Sequence, residues 1–271
     1  MKKVKDTNAE YHSVKSLSSS ALKTIYKTSV KHWLSVKVKP SKAMDFGTAV
    51  HTALLEPLKF KDDVAVKPDN IDRRTKAGKE AYAEFVEDAK GKAIIDNDQN
   101  NLIHEIIDVV QSKSYIDYYL HGQTELSHYG KFMGLDCRCR PDVINTSKNF
   151  ITDIKTCQST HPADFTRDVE KWRYDLQAAF YSDFCGIPAE NFRFVIIMAT
   201  MALQDDGSVK PYADAQLISL DKNLIERGRA AYKEAINKYK LYLKVGISDQ
   251  ITWPHVNDKD ESYIIKGYGK Y

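Results

Sequence analysis

The spacing of apolar residues changes once along this chain. Intervals of three and four prevail to about residue 120 and intervals of two follow, which predicts helices in front and strands behind. Ser18 or Ser19 can cap a helix whose Leu22, Ile25, Tyr26, Val30, Trp33 and Leu34 form one face, with Pro40 ending the segment. A second helix is expected from about Ala43 to Pro57, with Phe46, Ala49, Val50, Ala53 and Leu54 inward and Gly47 and His51 one turn apart. A third, about Lys76 to Lys90, turns Tyr82, Phe85, Val86 and Ala89 inward and stops at Gly91. A fourth, about Asn100 to Leu120, should break near Ser112–Ser114.

Beyond Gly122 three strands are expected, 123–129, 134–145 and 149–157, forming an antiparallel meander. Leu135, Cys137 and Cys139 alternate with Asp136, Arg138 and Arg140, and residues 145–149 are a turn sequence. A helix from about Val169 to Cys185, an apolar strand Phe192–Thr200, an alternating strand 212–220 and a helix from about Leu224 to Lys244 complete the pattern. No repeat or low-complexity linker interrupts it. The expectation is one domain over 1–271: a mainly helical lobe (about 1–120), an α/β core (about 121–245) and an irregular tail (246–271).

Composition adds little until charge is mapped. The 271 residues are 42% hydrophobic and 28% charged, an ordinary folded protein long enough to bury its own core. The net charge of +3 argues against a simple DNA-coating protein. It hides a segregation, however: the first 44 positions hold ten Lys against Asp6 and Glu10, a net +8, so the remainder carries −5 from 30 basic and 35 acidic residues. Met1-Lys2-Lys3 is followed by no apolar run of about seven or more, and no stretch approaches the ~18 apolar residues of a membrane span. A cytoplasmic protein with no membrane partner is expected. Its four Cys are then free thiols.

The chemistry lies in Pro141-Asp142, ten further residues, and Asp153-Ile154-Lys155. On a strand the period of two puts Asp153 and Lys155 on one face and Ile154 on the other, and Asp142 on the preceding strand can come alongside. Two converging carboxylates repel unless a cation lies between them. Oxygen ligands with open positions suit Mg²⁺ or Mn²⁺, and a neighbouring lysine can hold a water near a phosphate. Three further pieces join this one: Gly47-Thr48-Ala49-Val50-His51 upstream, Glu125 on the strand before Asp142, and Gln177 and Tyr181 at i and i+4 on a later helix.

In that order the pieces resemble the RecB-like branch of the PD-(D/E)xK nucleases, and within it the RecE-like, exonuclease VIII type of phages and prophages. The likeness runs over about residues 17–245. It includes Phe46 to His51 with Leu54-Leu55-Glu56-Pro57, Asp72 to Lys79, Cys137-Arg138-Cys139-Arg140-Pro141-Asp142 and Asp153-Ile154-Lys155-Thr156. The resemblance implies a central mixed sheet of the αβββαβ kind flanked by helices, with the N-terminal helical lobe walling a DNA cleft. It implies that His51, Asp142, Asp153 and the Ile154 backbone carbonyl hold the metal, Mg²⁺ with Mn²⁺ able to substitute. Lys155 would orient the attacking water, Glu125 would serve a second metal or its hydration shell, and Gln177 and Tyr181 would position DNA or the lysine.

The implied activity is 5′ to 3′ hydrolysis of linear double-stranded DNA, leaving 3′ single strands for a RecT-like annealing protein, in a bacterial or phage-infected cell. The implied assembly is a homo-oligomeric ring, a tetramer, with Trp253, Tyr263, Tyr268 and Tyr271 of the tail as candidate contacts. Arg73, Arg74, Lys76 and Lys79 enter a helix as a basic group suited to the DNA backbone or a 5′-phosphate, or simply to solvent. Two alternatives stay open: a RecB-like nuclease of other polarity or with single-strand or endonucleolytic preference, and a recombination scaffold with a vestigial site. The presence of His51, Asp142, Asp153 and Lys155 together weighs against the second. Some RecB-like nucleases carry an iron–sulfur cluster on four Cys, but the usual C-x₂-C spacing is missing here, so structural thiols and a colourless protein are expected.

Overall fold

A computed structural model describes residues 1–37, 39 and 41–246. The tail aromatics and Pro40 lie outside the described residues. The chain begins with a short strand β1 (Lys2–Val4) and helices α1 (Asn8–Ser13), α2 (Ser19–Lys27), α3 (Val30–Ser35) and α4 (Lys42–Leu55). Next come α5 (Phe60–Asp63), β2 (Val64–Val66), α6 (Lys76–Asp88), β3 (Ala93–Ile95), α7 (Asn97–Ser112) and α8 (Ser114–Asp117). The core holds β4 (Gln123–Thr124), β5 (Ser127–Phe132), β6 (Leu135–Cys139), β7 (Val143–Asn145) and β8 (Phe150–Thr156). It continues through α9 (Pro162–Trp172), α10 (Tyr174–Cys185), β9 (Phe192–Leu203), β10 (Val209–Ile218) and α11 (Lys222–Val245).

A five-stranded mixed sheet in the order β10-β9-β8-β7-β4 divides the interior, with β8 and β9 parallel and the other neighbours antiparallel. The apolar run of β9 has no polar alternation because both faces are covered. Phe192, Phe194 and Ile196 pack with α2, α9, α10 and α11, while Val195 and Ile197 pack with α4, α7 and α8. In β8, Ile151 belongs to the first of these layers and Phe150 and Ile154 to the second. Period two therefore turns Asp153 and Lys155 toward α2 and α10 and sets Ile154 beneath Ala49 and Val50 of α4. Helix α11 lies so close to α10 that a Cβ on Gly228 would stand 2.1 Å from the Asp175 carbonyl oxygen, which only glycine avoids.

Several expected elements are divided. The meander is split between two sheets: β5 pairs with β1 and β6 in a three-stranded sheet, while β4, β7 and β8 belong to the five-stranded one. Both long strands change sheet together, at Glu125-Leu126 and at Arg140-Pro141-Asp142. Pro141 has no N–H for a ladder, and Arg140 turns away to Asp6, Asn8 and Ser127. The first helix breaks where Ser29 accepts from the His32 N–H and starts α3 afresh. The helix drawn from Val169 is two helices, α9 and α10, joined through Arg173 in the left-handed region at φ 53°. Helix α6 buries none of its residues fully: Tyr82 and Phe85 are half-buried, Val86 is exposed, and Ala89, just beyond the helix, is buried. Its amphipathic spacing was satisfied at the surface. The break expected near Ser112–Ser114 occurs at Lys113. Strands β1, β2 and β3, three residues each, are too short to show a period. Among the described residues no helix is long and apolar enough to cross a membrane.

Candidate active site

The point where the two strands change sheets gathers the polar residues. Glu125 holds a left-handed φ of 48° and its N–H donates to the Asp142 carbonyl at 3.0 Å, so the two crossings are tied to each other. A non-glycine residue in this region is strained, and such strain tends to sit where function needs it. Asp142, 7% exposed, accepts the Ile154 N–H on Oδ2 at 2.6 Å. His51 comes in from α4 across the top of β8. Its Nε2 lies 3.2 Å from the Ile154 carbonyl oxygen, its Nδ1 3.5 Å from Asp142 Oδ2 and 3.9 Å from Glu125 Oε1.

His51, Glu125 and Asp142 each turn a ligand atom into a space where all three lie within 4.8 Å of one another. Burial raises the Asp142 carboxyl to about 7, helped by the charges of Asp153 and Glu125 and opposed by His51. Burial works against charge on His51, yet Asp142 and Glu125 outweigh it and push the imidazole up to about 9. Two carboxylates with one imidazole to share could hold a divalent cation, and the nitrogen suits Mn²⁺ better than Mg²⁺.

Asp153 stands beside this group. It is 1% exposed; Oδ1 accepts from Gln177 Nε2 and Oδ2 lies against the Lys155 ammonium without the direction of a hydrogen bond. Burial opposes charge on Lys155, but Asp153 and Asp142 hold it protonated, its pKa raised above the ordinary lysine value. The Ile154 carbonyl, expected to face a metal, faces His51. Gln177 is 6% exposed and links Asp153 to a residue that the sequence pattern did not single out: Lys23 of α2, whose Nζ donates to Gln177 Oε1 at 2.7 Å. Burial, then the charge of Lys155, lowers Lys23 to about 7. Lys23 and Lys155 both lie 5.1 Å from the centre of the Tyr174 ring. The available signal was a lysine bordering the buried stripe Ala21, Leu22 and Ile25.

Tyr181 lies one turn past Gln177, 7% exposed, and its hydroxyl accepts from Ser19 Oγ at 3.4 Å. The expected basic group stands apart, at the start of α6. Arg74 clamps Asp72, Arg73 lies 4.1 Å over the Tyr82 ring, Lys76 reaches Glu80 at 3.9 Å, and Lys79 is exposed on the same turn.

Residues 13–249 match the family described as a PDDEXK-like domain of unknown function (DUF3799). The chain belongs to that family. The PDDEXK-like assignment accords with the mixed sheet flanked by helices. Among solved structures, a proposed exonuclease from Eubacterium rectale is similar over 89% of this chain and 88% of its own, at 17% identity and a TM-score of 0.54. A phage-related exonuclease from Haemophilus somnus 129PT aligns over 77% of this chain and 96% of its own, at 12% identity and a TM-score of 0.32. No curated protein matches the chain. The first of these likenesses places the PDDEXK-like chain in the fold of that structure.

Proposed function

We propose that this protein is a metal-dependent nuclease, and specifically a RecE-like 5′ to 3′ exonuclease acting on linear double-stranded DNA. The observation that carries the reading is the convergence of His51, Glu125 and Asp142 beside the Asp153, Lys155 and Gln177 chain at one sheet crossing. The likeness to a proposed exonuclease supports it. His51, Glu125 and Asp142 would hold a divalent ion, and Asp153, a ligand by the RecE resemblance, stands beside these three. Such an ion, when bound, supplies Lewis-acid polarisation of a phosphoryl oxygen and lowers the pKa of a water.

The chain's own residues do the rest. Lys155, held protonated by two carboxylates, offers N–H donors and positive charge to a pentacoordinate phosphate. Gln177 fixes the rotamer of Asp153 by donating to one oxygen while it accepts from Lys23 with its own. Lys23 and Lys155 each lie 5.1 Å from the Tyr174 ring centre, and Lys23, when protonated, would add a second positive charge for the substrate backbone. Arg73, Arg74, Lys76 and Lys79 would contact the duplex further from the site. A ring-shaped tetramer and a RecT-like partner complete the proposal.

The test uses end-labelled linear duplexes, with and without a 5′-phosphate, in Mg²⁺, Mn²⁺ or EDTA, alongside Asp153→Ala and Lys155→Ala. Metal-dependent loss of duplex that begins at the 5′ end and fails in both variants is expected. No metal-dependent cleavage, or full activity in both variants, rejects the nuclease. Label released first from the 3′ end rejects the polarity alone.

A further inference from the structure

Away from that site, the three-stranded sheet meets the end of α10 at a group of soft donors. A ring nitrogen of His128 on β5, Cys139 Sγ on β6 and Sγ of Cys185, the last residue of α10, lie within 4.8 Å of one another. His128 and Cys139 face each other across the antiparallel pair, and the two sulfurs are 3.4 Å apart. His128 is fully buried. Its Nδ1 lies 2.9 Å from the Leu126 carbonyl oxygen, so Nδ1 carries the proton and donates it. That tautomer leaves a lone pair on Nε2, which is buried and has no hydrogen-bond partner.

We propose that His128, Cys139 and Cys185 form a zinc site, three protein donors with one open position, that fastens the β5–β6 hairpin to the end of α10. Four features of the group agree on this occupant. Imidazole and thiolate are the donors zinc prefers. A metal-bound histidine commonly gives its other N–H to a backbone carbonyl, as His128 does to Leu126. Tetrahedral zinc with ~2.3 Å bonds to sulfur sets two thiolates about 3.8 Å apart, so the observed pair needs only a small spread.

Charge is the fourth. Zn²⁺ with two thiolates and a neutral imidazole sums to zero, the only ionised combination that a dry core accepts without a further counter-ion. Without metal, burial holds the Cys139 thiol well above its ordinary value, so binding would release its proton. Cys185 is the half-buried member, and a water would take the fourth position. A disulfide between the same sulfurs would leave His128 Nε2 as unsatisfied as before. Cys137, two residues along β6, stands outside the group.

The probe is Co²⁺ alone, added to the full-length protein after reduction and removal of metals. A thiolate-to-cobalt charge-transfer band in the near ultraviolet is expected to saturate at one equivalent, and Zn²⁺ should abolish it. The band should persist in Asp142→Asn, which impairs the carboxylate site, and vanish in Cys185→Ser, a near-isosteric change at the half-buried donor. No sulfur band in the reduced wild-type protein overturns the proposal, and that measurement needs no variant to fold. A band of full strength in both Cys185→Ser and Cys139→Ser overturns it as well.

Discussion

Asp175 and Asp142 are both almost fully buried carboxylates, and the chain treats them in opposite ways. Asp175, 0% exposed at the start of α10, receives Arg173 on both oxygens at 2.9 Å and Arg227 at 2.9 Å. Burial alone would raise it; the two guanidinium groups reverse that and hold it below the usual carboxylate range. Asp142 has one backbone N–H and a shared imidazole, faces Asp153 and Glu125, and is pushed up to about 7. The first carboxylate is balanced within the fold and explains why a left-handed Arg173 is tolerated between α9 and α10. The second is left short of positive charge in a fold able to supply it elsewhere, as Asp183 with Arg229 and Tyr232 also shows. On the proposed function, that deficit is where an external cation would bind.

The largest effect that could break this comparison is on stability. Asp175→Ala strands Arg173 and should cost about 3–5 kcal/mol, as breaking a buried ion pair does. Asp142→Asn removes an unbalanced charge, so in EDTA its urea midpoint should equal or exceed the wild-type value. Equal losses in the two variants would show that Asp142 is braced by the fold after all. Next in size, Lys155→Ala should lower cleavage in Mg²⁺ by about 100-fold or more in single-turnover assays, the scale of losing a preorganised electrostatic donor. A loss under tenfold would remove Lys155 from the reaction.

The pH dependences of the two carboxylates should run in opposite directions. Asp175 titrates below its ordinary 3.8 when folded, so its contribution is fully present above that value and is lost as pH falls through the folded one. Asp142, at about 7, binds more protons folded than unfolded between its ordinary 3.8 and 7, so stability drains away as pH rises across that window. His51, raised from 6.5 to about 9, continues the same loss up to about 9. In EDTA the advantage of Asp142→Asn over wild type should therefore grow from about pH 4 to 7, while the deficit of Asp175→Asn should shrink as pH falls below about 4. Parallel stability curves for the three proteins would refute the assignment.

The same contrast explains what the sequence could and could not reveal. Asp142 and the Asp153-Ile154-Lys155 strand were legible because strand alternation fixes which side chains share a face, and β9 because an unbroken apolar run signals a strand covered on both sides. The division of the meander was not, because it depends on Arg140 finding Asp6, more than 130 positions away, as β1 adds to the second sheet. The kink at Arg173 was hidden for a similar reason: its partners are Asp175 and Tyr26, and only the second layer of helices brings Tyr26 there. Lys23 escaped because a lysine beside an apolar stripe ordinarily points to solvent. Its capture by Gln177 exists only once α2 lies against α10.

Lys23 offers a smaller and sharper cut. Its link to Asp153 passes through one side chain, so Lys23→Met should reduce cleavage about tenfold, near the ~1.5 kcal/mol of a hydrogen bond to a charged group. Lys23→Arg should restore part of that loss if positive charge toward the substrate matters, and none if Lys23 only orients Gln177. An unchanged rate in Lys23→Met would detach α2 from the site.

The basic group at the start of α6 should give the smallest effect and the clearest contrast with the buried charges. Arg73 and Arg74 are spent locally, one on the Tyr82 ring and one on Asp72, and neither touches the carboxylate site. Their exchange of a solvated partner for a DNA phosphate would release counter-ions without altering chemistry. Arg73→Ala with Arg74→Ala should therefore weaken duplex binding and flatten the dependence of log Kd on log salt by about one to two units, while the cleavage rate at saturating DNA and the metal affinity stay as in wild type. A salt dependence identical to wild type would remove Arg73 and Arg74 from the duplex and leave the lysines of the first 44 residues, where the chain concentrates its positive charge, as the next surface to test.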